Sequence, residues 1–330
     1  MHNLDADGSR PLLCPHVTIR LLHFLELTLG KILGEGAFCH VKEISAINLN
    51  RRENDEGSSP TELSSEHKGE TDEADFPINL FNNETELREY MSDNCLREDG
   101  EGLHARYALK QLKSTNSQKH VEQGLLDLSI EAKFLSRINH PNVIKMRGLT
   151  GKPLSPNFGL VLDRLYMTLE DRMDMWTEIK KNSANSGLCG CLGLGGLDEG
   201  TKASILISVV TIAYDLACGM RYIHEQNILY RDTKPENAGF DVRGDIKIFD
   251  FGFSKELSKD LFDKTSRQYN LTKRTGSQPY LAPENFTGKP YGKPSDVFSF
   301  GVLLWEMLHS KFAVSRSVRG YIYILGSTPI

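Results

Sequence analysis

Between Tyr230 and Gly252 the chain reads YRDTKPENAGFDVRGDIKIFDFG, which sets Asp232, Lys234 and Asn237 in one loop and Asp250 thirteen residues beyond the asparagine. Two readings fit such crowding of ionisable and amide groups between apolar runs. One is a pair of polar turns around a β-hairpin. The other is a phosphate and metal site. In it a carboxylate (Asp232) accepts a hydroxyl proton, an ammonium (Lys234) neutralises a phosphoryl group in transfer, and two oxygen ligands (Asn237 and Asp250) hold magnesium. The second reading uses all four groups at their spacing, which polar turns would not require.

Two upstream stretches could serve the same chemistry. GEGAFCHV, from Gly34 to Val41, has two glycines in a strand-turn-strand that let the backbone approach a phosphate, with Phe38 able to cap the loop and Val41 able to press on a flat ligand. Taken alone it reads equally well as a glycine-containing hairpin. In YALK, Lys110 ends an apolar strand, where a solvent-facing lysine is the plain alternative. Glu131 lies on the helix that follows, beside Ala132 and Leu135 of its apolar stripe, and pairing with it would orient the ammonium toward two phosphates.

The elements that must position these groups follow from periodicity. Strands are predicted over 26–34, 40–47, 105–112, 143–149 and 158–162. A helix follows the third, with Leu125, Leu128, Ala132, Leu135 and Ile138 recurring at three and four. Five strands and one helix make a small lobe. A second helical stripe, Ile205, Val209, Ile212, Leu216, Met220 and Ile223, ends just before the polar loop. Ser295 is predicted to cap a further apolar helix, with Asp296 in its first turn where a carboxylate suits the dipole.

Two insertions interrupt this order. Residues 51–101 hold sixteen Asp and Glu against five Lys and Arg, a local charge of 5 − 16 = −11, so the rest of the chain carries −5 + 11 = +6. Such a segment buries too little apolar surface to offset its ordering entropy and is expected to be a disordered, solvated loop. Residues 181–200 are glycine-rich and read as a flexible connection.

At 330 residues and 39% hydrophobic content the chain is long enough for a sizeable core. A net charge of −5 gives no general basic surface, so no nucleic-acid partner is expected. The six cysteines lack the framework of a small secreted domain, Cys189 and Cys191 read as an ordinary loop, and an intracellular setting follows, chiefly cytoplasmic with the nucleus open. No membrane span is expected, because 205–220 is broken by Ser208, Thr211 and Asp215.

With these residues in view, the chain resembles a eukaryotic protein kinase of the serine/threonine type. The matching segments are LGEGAFCHV, YALK, SIEAKFLSRINHPNVI, YRDTKPEN, DFG, TGSQPYLAPE and SDVFSFGVLLWEM, in the family order. The match covers roughly 24–309 apart from the two insertions. It implies an α+β, two-lobed protein-kinase-like fold: an extension over 1–23, a small lobe and hinge over 24–165, a mainly helical but incomplete second lobe over 166–309, and an unmatched tail over 310–330. Family members continue with several more helices, so a truncated domain is expected, and Glu284 would lack its usual arginine partner.

The resemblance also implies roles. Leu33, Gly34, Gly36, Val41 and Ala108 would contact the nucleotide, and Lys110 with Glu131 would position its phosphates. Leu162 would guard the back of the adenine pocket, with Asp163 to Leu165 as the hinge. Asp232 would be the catalytic base and Lys234 the partner of the phosphoryl group, with Asn237 and Asp250 as metal ligands. ATP and Mg2+ are the implied cofactors, and a protein with a Ser or Thr acceptor is the implied substrate. Lys234 and Ser277 match the serine/threonine type. Arg231 implies an upstream activating kinase that phosphorylates the loop between Asp250 and Glu284, with Thr272 the first choice among Thr265, Ser266, Thr272 and Thr275. The alternative is a catalytically impaired, nucleotide-binding scaffold or a truncated fragment. Two residues depart from the pattern: Cys39, expected to be partly exposed, replaces a third glycine, and Gly239 stands where a leucine usually lies beneath adenine.

Overall fold

The computed structural model describes residues 21–49, 84–99, 102–113, 118–155, 157–184 and 198–309. Contacts divide them into two compact units. The smaller holds the described residues up to Ala132 together with Lys145–Arg164, and the larger holds Lys133–Ile144 together with the described residues from Leu165 onward.

The smaller unit contains β1 (Leu21–Leu22), β2 (Leu27–Glu35), β3 (Cys39–Ile47), α1 (Glu84–Asp93), β4 (Leu96–Asp99), β5 (Gly102–Ala105) and β6 (Tyr107–Leu112). Next come α2 (Gln118–Leu135), whose last turn passes into the other unit, then β7 (Met146–Thr150) and β8 (Gly159–Asp163). Six of these strands form a sheet in the order β1-β7-β8-β6-β3-β2, and β4 and β5 pair separately. The five predicted strands form its antiparallel part, and β1 adds to the edge, parallel to β7. α2 lies close on the sheet at Gly124, where a Cβ would come within 2.4 Å of Leu112 and 2.9 Å of Phe38. The Phe38 ring stacks toward His120 on that helix, at 5.4 Å between centroids. It is therefore held against α2.

The acidic insertion is corrected in part. Residues 50–83, 100 and 101 lie outside the described residues. Residues 84–99, expected to be solvated loop, form α1 and β4 and contribute to the core. Met91 is 1% exposed and Cys95 is buried with it against Leu27, Ile44, Ile47 and Tyr107. Ser92 Oγ donates to the carbonyl of Ile47 at 2.6 Å, Cys95 Sγ donates to that of Ile44 at 3.2 Å, and Arg88 pairs with the buried carboxylate of Glu26. The average charge of the segment hid two apolar side chains, Met91 in the last turn of α1 and Cys95 just after it, which seat the end of the helix against the sheet. Burial pushes the Cys95 thiol up to about 11.

The larger unit begins with a boundary that differs from the predicted one. Val143 does not enter a strand of the sheet: it bridges Ile248, while Asn142 Nδ2 donates to the carbonyl of Ile246 at 3.2 Å and Lys247 Nζ to that of Pro141 at 2.6 Å. Residues 133–144 thus find their backbone partners outside the small sheet. The remaining elements are β9 (Met167–Thr168), α3 (Leu169–Ala184), α4 (Glu199–Glu225), β10 (Ile228–Leu229), β11 (Ala238–Phe240), β12 (Ile246–Ile248), β13 (Lys255–Glu256), β14 (Phe262–Asp263), β15 (Gln268–Tyr269), α5 (Pro283–Thr287) and α6 (Lys293–His309). Of the glycine-rich insertion, 181–184 continue α3 and Asp198 caps α4, accepting from Thr201 N at 2.9 Å; residues 185–197 and the tail 310–330 lie outside the described residues.

The predicted stripe of α4 is buried as expected, with Gly219 added to it. This helix is also the one described helix long and apolar enough to cross a membrane, with a mean hydropathy of 1.8 over its best window. Its buried stripe packs against β12 and α6: Gly219 sits where a Cβ would approach Ile248 to 3.0 Å.

Seating of residues 84–99 has a direct chemical consequence. Iodoacetamide at pH 8 should modify Cys95 only after unfolding, and labelling in the native protein at the rate of the unfolded chain would show that the segment is not in the core. Met91→Ala should lower unfolding stability by about 2–5 kcal/mol, measured by denaturant titration.

Candidate active site

The hairpin and the site turn out to be one segment. β11 and β12 pair antiparallel in the register Ala238 to Ile248 and Phe240 to Ile246. The turn between them is satisfied locally: Asp241 Oδ1 accepts from the amides of Arg243 at 2.8 Å and Asp245 at 3.0 Å, and Gly244 takes a positive φ of 83°. Burial opposes ionisation of Asp241, but those amides and the Lys247 ammonium hold its carboxyl below the usual carboxylate range. At the open end the Phe249 amide, one residue before Asp250, donates to the carbonyl of Asn237 at 3.0 Å.

Asp232 is 3% exposed and fully engaged. Its Oδ1 accepts from the Ser277 amide at 2.9 Å and from Ser277 Oγ at 2.8 Å; its Oδ2 accepts from Asn237 Nδ2 at 2.6 Å and faces Lys234 Nζ at 2.9 Å. Lys234 Nζ also donates to Ser277 Oγ at 2.9 Å. A buried carboxylate thus sits within reach of a hydroxyl, with an ammonium beside both, the arrangement that proton removal from an alcohol requires.

Backbone strain marks the same place. Arg231 and Asp250 take left-handed conformations, φ of 70° and 64°, although neither is glycine. Arg231 is held by Asp296, 1% exposed, whose Oδ2 accepts from the Tyr230 amide and Oδ1 from the Arg231 amide, both at 2.8 Å. His224 Nε2 lies 2.9 Å from Asp296 Oδ2. Tyr230 then ties the loop to the segment carrying Asp250: its hydroxyl donates to the carbonyl of Phe249 at 2.5 Å and its ring meets Phe251 edge-on at 5.2 Å. Ser277 reaches Asp232 because Gly276 has φ of 113°, and a Cβ there would lie 2.2 Å from the Arg231 carbonyl. Arg231 Nε donates to the Phe253 carbonyl at 2.6 Å and Nη1 to the Tyr291 hydroxyl at 3.3 Å, which in turn donates to the Thr272 carbonyl at 2.6 Å.

The donor set suits a hard divalent cation. Asn237 spends its Nδ2 on Asp232, at the backbone carbonyl (2.9 Å) and at Oδ2, so its amide oxygen is the atom left for a metal. Among the described residues no cluster of three or more His, Cys, Asp or Glu forms a closed metal cage. The Asn237 amide oxygen and the Asp250 carboxylate are the oxygen ligands that a divalent cation would take here.

The remaining predicted residues fall in the smaller unit or at its boundary. Lys110 Nζ pairs with Glu131 Oε2 at 2.6 Å, and Glu131 is 2% exposed. Val41 lies opposite Lys110, Ala108 lies opposite Leu162, and Gly34 pairs with Val41, so Val41, Ala108, Lys110 and Leu162 share one face of the sheet. The hairpin carrying Leu33, Gly34 and Gly36 closes through the Gly36 amide, which donates to the Cys39 carbonyl at 2.8 Å. Cys39, expected to be partly exposed, is 9% exposed; it lies opposite Leu112, whose side chain sits against α2 at Gly124. Asp163 makes a bidentate pair with Arg147 at 2.6 and 2.7 Å, and the division between units falls at Arg164 and Leu165, inside the predicted hinge. The room that Gly239 leaves in the larger unit is taken: a Cβ there would meet Leu165 at 3.0 Å, the Met167 carbonyl at 3.1 Å and Phe249 at 3.3 Å.

Sequence reasoning missed Asp296 and Gly276. Asp296 lies in the first turn of α6, as expected, and there it also holds the loop; α6 starts at Lys293, ahead of Ser295, so Ser295 does not cap it and its Oγ donates to the Gly292 carbonyl at 2.8 Å. Gly276 had a usable signal, a glycine directly before a site serine.

Asp232 with Lys234 and Asn237, and the Lys110–Glu131 pair, are side chains of the kinds that phosphoryl transfer uses. Residues 101–322 match the protein kinase domain, and the chain belongs to the protein kinase family. It is 31% identical over 179 residues to Serine/threonine-protein kinase CTR1 of Arabidopsis thaliana, covering 54% of this chain and 18% of that protein. It is 42% identical over 112 residues to Dual specificity protein kinase shkB of Dictyostelium discoideum (34% and 16%). It is 41% identical over 117 residues to cAMP-dependent protein kinase type 3 of Saccharomyces cerevisiae (35% and 27%). The chain therefore spans less than a third of the length of these relatives.

Asp296→Ala leaves the Tyr230 and Arg231 amides without their acceptor. Amide hydrogen exchange at these two residues should rise by at least tenfold, with unfolding stability lower by about 1–3 kcal/mol. Unchanged protection would show that Asp296 does not hold the loop.

Proposed function

We propose that this chain is a serine/threonine protein kinase that transfers the γ-phosphoryl group of ATP, with magnesium, to a Ser or Thr hydroxyl of a protein. The observation that carries it is the buried Asp232 carboxylate bracketed by Lys234, Asn237 and a hydroxyl at 2.8 Å. In this reading Asp232 accepts the proton of the attacking hydroxyl and Lys234 spreads the charge that develops on the phosphoryl oxygens. Asn237 and Asp250 hold the cation, which neutralises the phosphates. Lys110, oriented by Glu131, pairs with the phosphates. Gly34 and Gly36 let the backbone approach them, and Leu33, Val41, Ala108, Leu162, Asp163 and Leu165 contact the nucleotide.

Serine/threonine specificity is supported by Lys234 two residues after the base, by its bond to Ser277, and by the names of the relatives above, one of which is a dual-specificity enzyme. Activation by an upstream kinase belongs to the same proposal. Thr272 is exposed and its carbonyl is linked through Tyr291 to Arg231, so a phosphate there would add a charge-assisted partner for the guanidinium. An intracellular location completes it, in keeping with Cys95 and Cys218 as thiols among the described residues.

Asp232→Asn should lower magnesium-dependent phosphate transfer from ATP to a protein acceptor by about 10²–10⁴-fold while ATP binding persists. Phosphoamino-acid analysis of the product should give phosphoserine and phosphothreonine. Phosphotyrosine alone would overturn the specificity. ATP binding without turnover by the parent chain would replace the enzyme with a nucleotide-binding scaffold.

A further inference from the structure

The loop that follows Asp250 carries a charge opposite to that of the whole chain. Residues 264–289 hold five Lys and Arg against one acid, Glu284, a local charge of 5 − 1 = +4 where the chain as a whole has −5. Three of these cations gather on the C-terminal end of α5. Arg274 takes a left-handed φ of 52° and is clamped in it: its amide donates to the Asn285 carbonyl at 3.3 Å, its Nε donates to the Phe286 carbonyl at 3.1 Å, and its guanidinium lies over the Phe286 ring at 5.4 Å. Buried Asn285 holds the next residue too, its Nδ2 donating to the Thr275 carbonyl at 3.0 Å. The Lys273 stem lies across Gly288, where a Cβ would come within 2.8 Å of it, and Lys289 follows that glycine directly. All three cations are exposed, and among the described residues none pairs with a carboxylate, whereas Lys133, Arg221 and Arg243 of the larger unit do. The patch is also close to the catalytic segment. Gly276 packs against the carbonyl of Arg231, the residue before Asp232, so Arg274 stands two residues, about 7 Å of extended chain, from that contact.

We propose that this patch selects the substrate: Lys273, Arg274 and Lys289 bind an anionic group, a carboxylate or a phosphate, carried two or three residues from the acceptor hydroxyl. The inference rests on the kinase reading above and adds a substrate class to it, acidic acceptor segments. A peptide whose hydroxyl meets Asp232 carries its second and third neighbours about 7–10 Å away in extended chain, a reach that matches the separation of the patch from the catalytic segment. With Nε spent on the Phe286 carbonyl, Arg274 keeps its two Nη groups for a forked contact with an oxyanion, and the two lysines add point charge beside it. Each exposed charge pair is weak, so the selection comes from several contacts together and acts on binding of the substrate.

The test uses the full chain, treated with phosphatase and repurified so that no phosphate on Thr272 competes, and a set of fluorescein-labelled peptides with one serine acceptor. The second and third neighbours on both sides of that serine are alanine, glutamate, phosphoserine or lysine. Binding is read by fluorescence anisotropy, and transfer from ATP with magnesium by phosphate incorporation. The glutamate or the phosphoserine peptide should bind about tenfold more tightly than the alanine peptide, the yield of two or three exposed charge pairs, with KM lower by the same factor and kcat within about twofold. The tighter of the two names the group bound. Lys273→Glu combined with Lys289→Glu should reverse the order and favour the lysine peptide, which a merely structural role for these side chains would not do. Equal binding of all the peptides, tighter binding of the lysine peptide by the parent chain, or an acidic preference unchanged in the charge-reversed variant would overturn the proposal and leave the kinase reading standing. Tighter binding of the acidic peptides without transfer to any peptide would overturn the kinase reading and leave only an anion-binding surface.

Discussion

Asp296 is buried to 1% exposure and spends its two carboxylate oxygens on amides 65 and 66 residues away in sequence. A buried carboxylate is costly unless its lone pairs are met, and here backbone N–H groups and His224 meet them. The cost of releasing any one of these bonds keeps Arg231 in its left-handed conformation. With Arg231 fixed, Asp232 is presented at a set angle, and Gly276 can pass close enough for Ser277 to reach it. The loop geometry is thus inherited from the first turn of α6.

Charge in the site is arranged for orientation. Asp232 meets Lys234 together with two neutral donors, Asn237 and Ser277, so its ionised form is satisfied without a second close cation. Lys110 and Glu131 form a nearly buried pair of their own in the smaller unit. Such a pair contributes little net stability once desolvation is counted, but it restricts where the ammonium can point. In both cases the partner groups fix a direction, which is what transfer between two bound molecules requires.

Much of this was legible in the chain. Period-2 and period-3.6 patterns placed the five antiparallel strands and the stripe of α4, since both rest on local alternation of apolar residues. The contacts of Asp232 with Lys234 and Asn237 and the Lys110 and Glu131 pair join residues that type and spacing had singled out. What composition hid was α1: a window of sixteen acidic residues averages away Met91 and Cys95, which fold into the core because β3 offers carbonyls to Ser92 and Cys95. The fourth strand was started too early for a similar reason. Val143 has the apolar character of a sheet residue, but its pairing partner is Ile248.

The sequence by itself determined which chemistry was available, because proton acceptance, phosphate neutralisation and cation binding are properties of Asp, Lys and Asn side chains at short spacing along the chain. Only the tertiary structure decided how those groups are held. The bonds from Asp296 to Tyr230 and Arg231, from Ser277 to Asp232 and from Tyr230 to Phe249 join segments that are distant along the chain. Such partners leave no periodic or local signal, since a hydrogen bond constrains where two atoms meet in space and not how many residues lie between them.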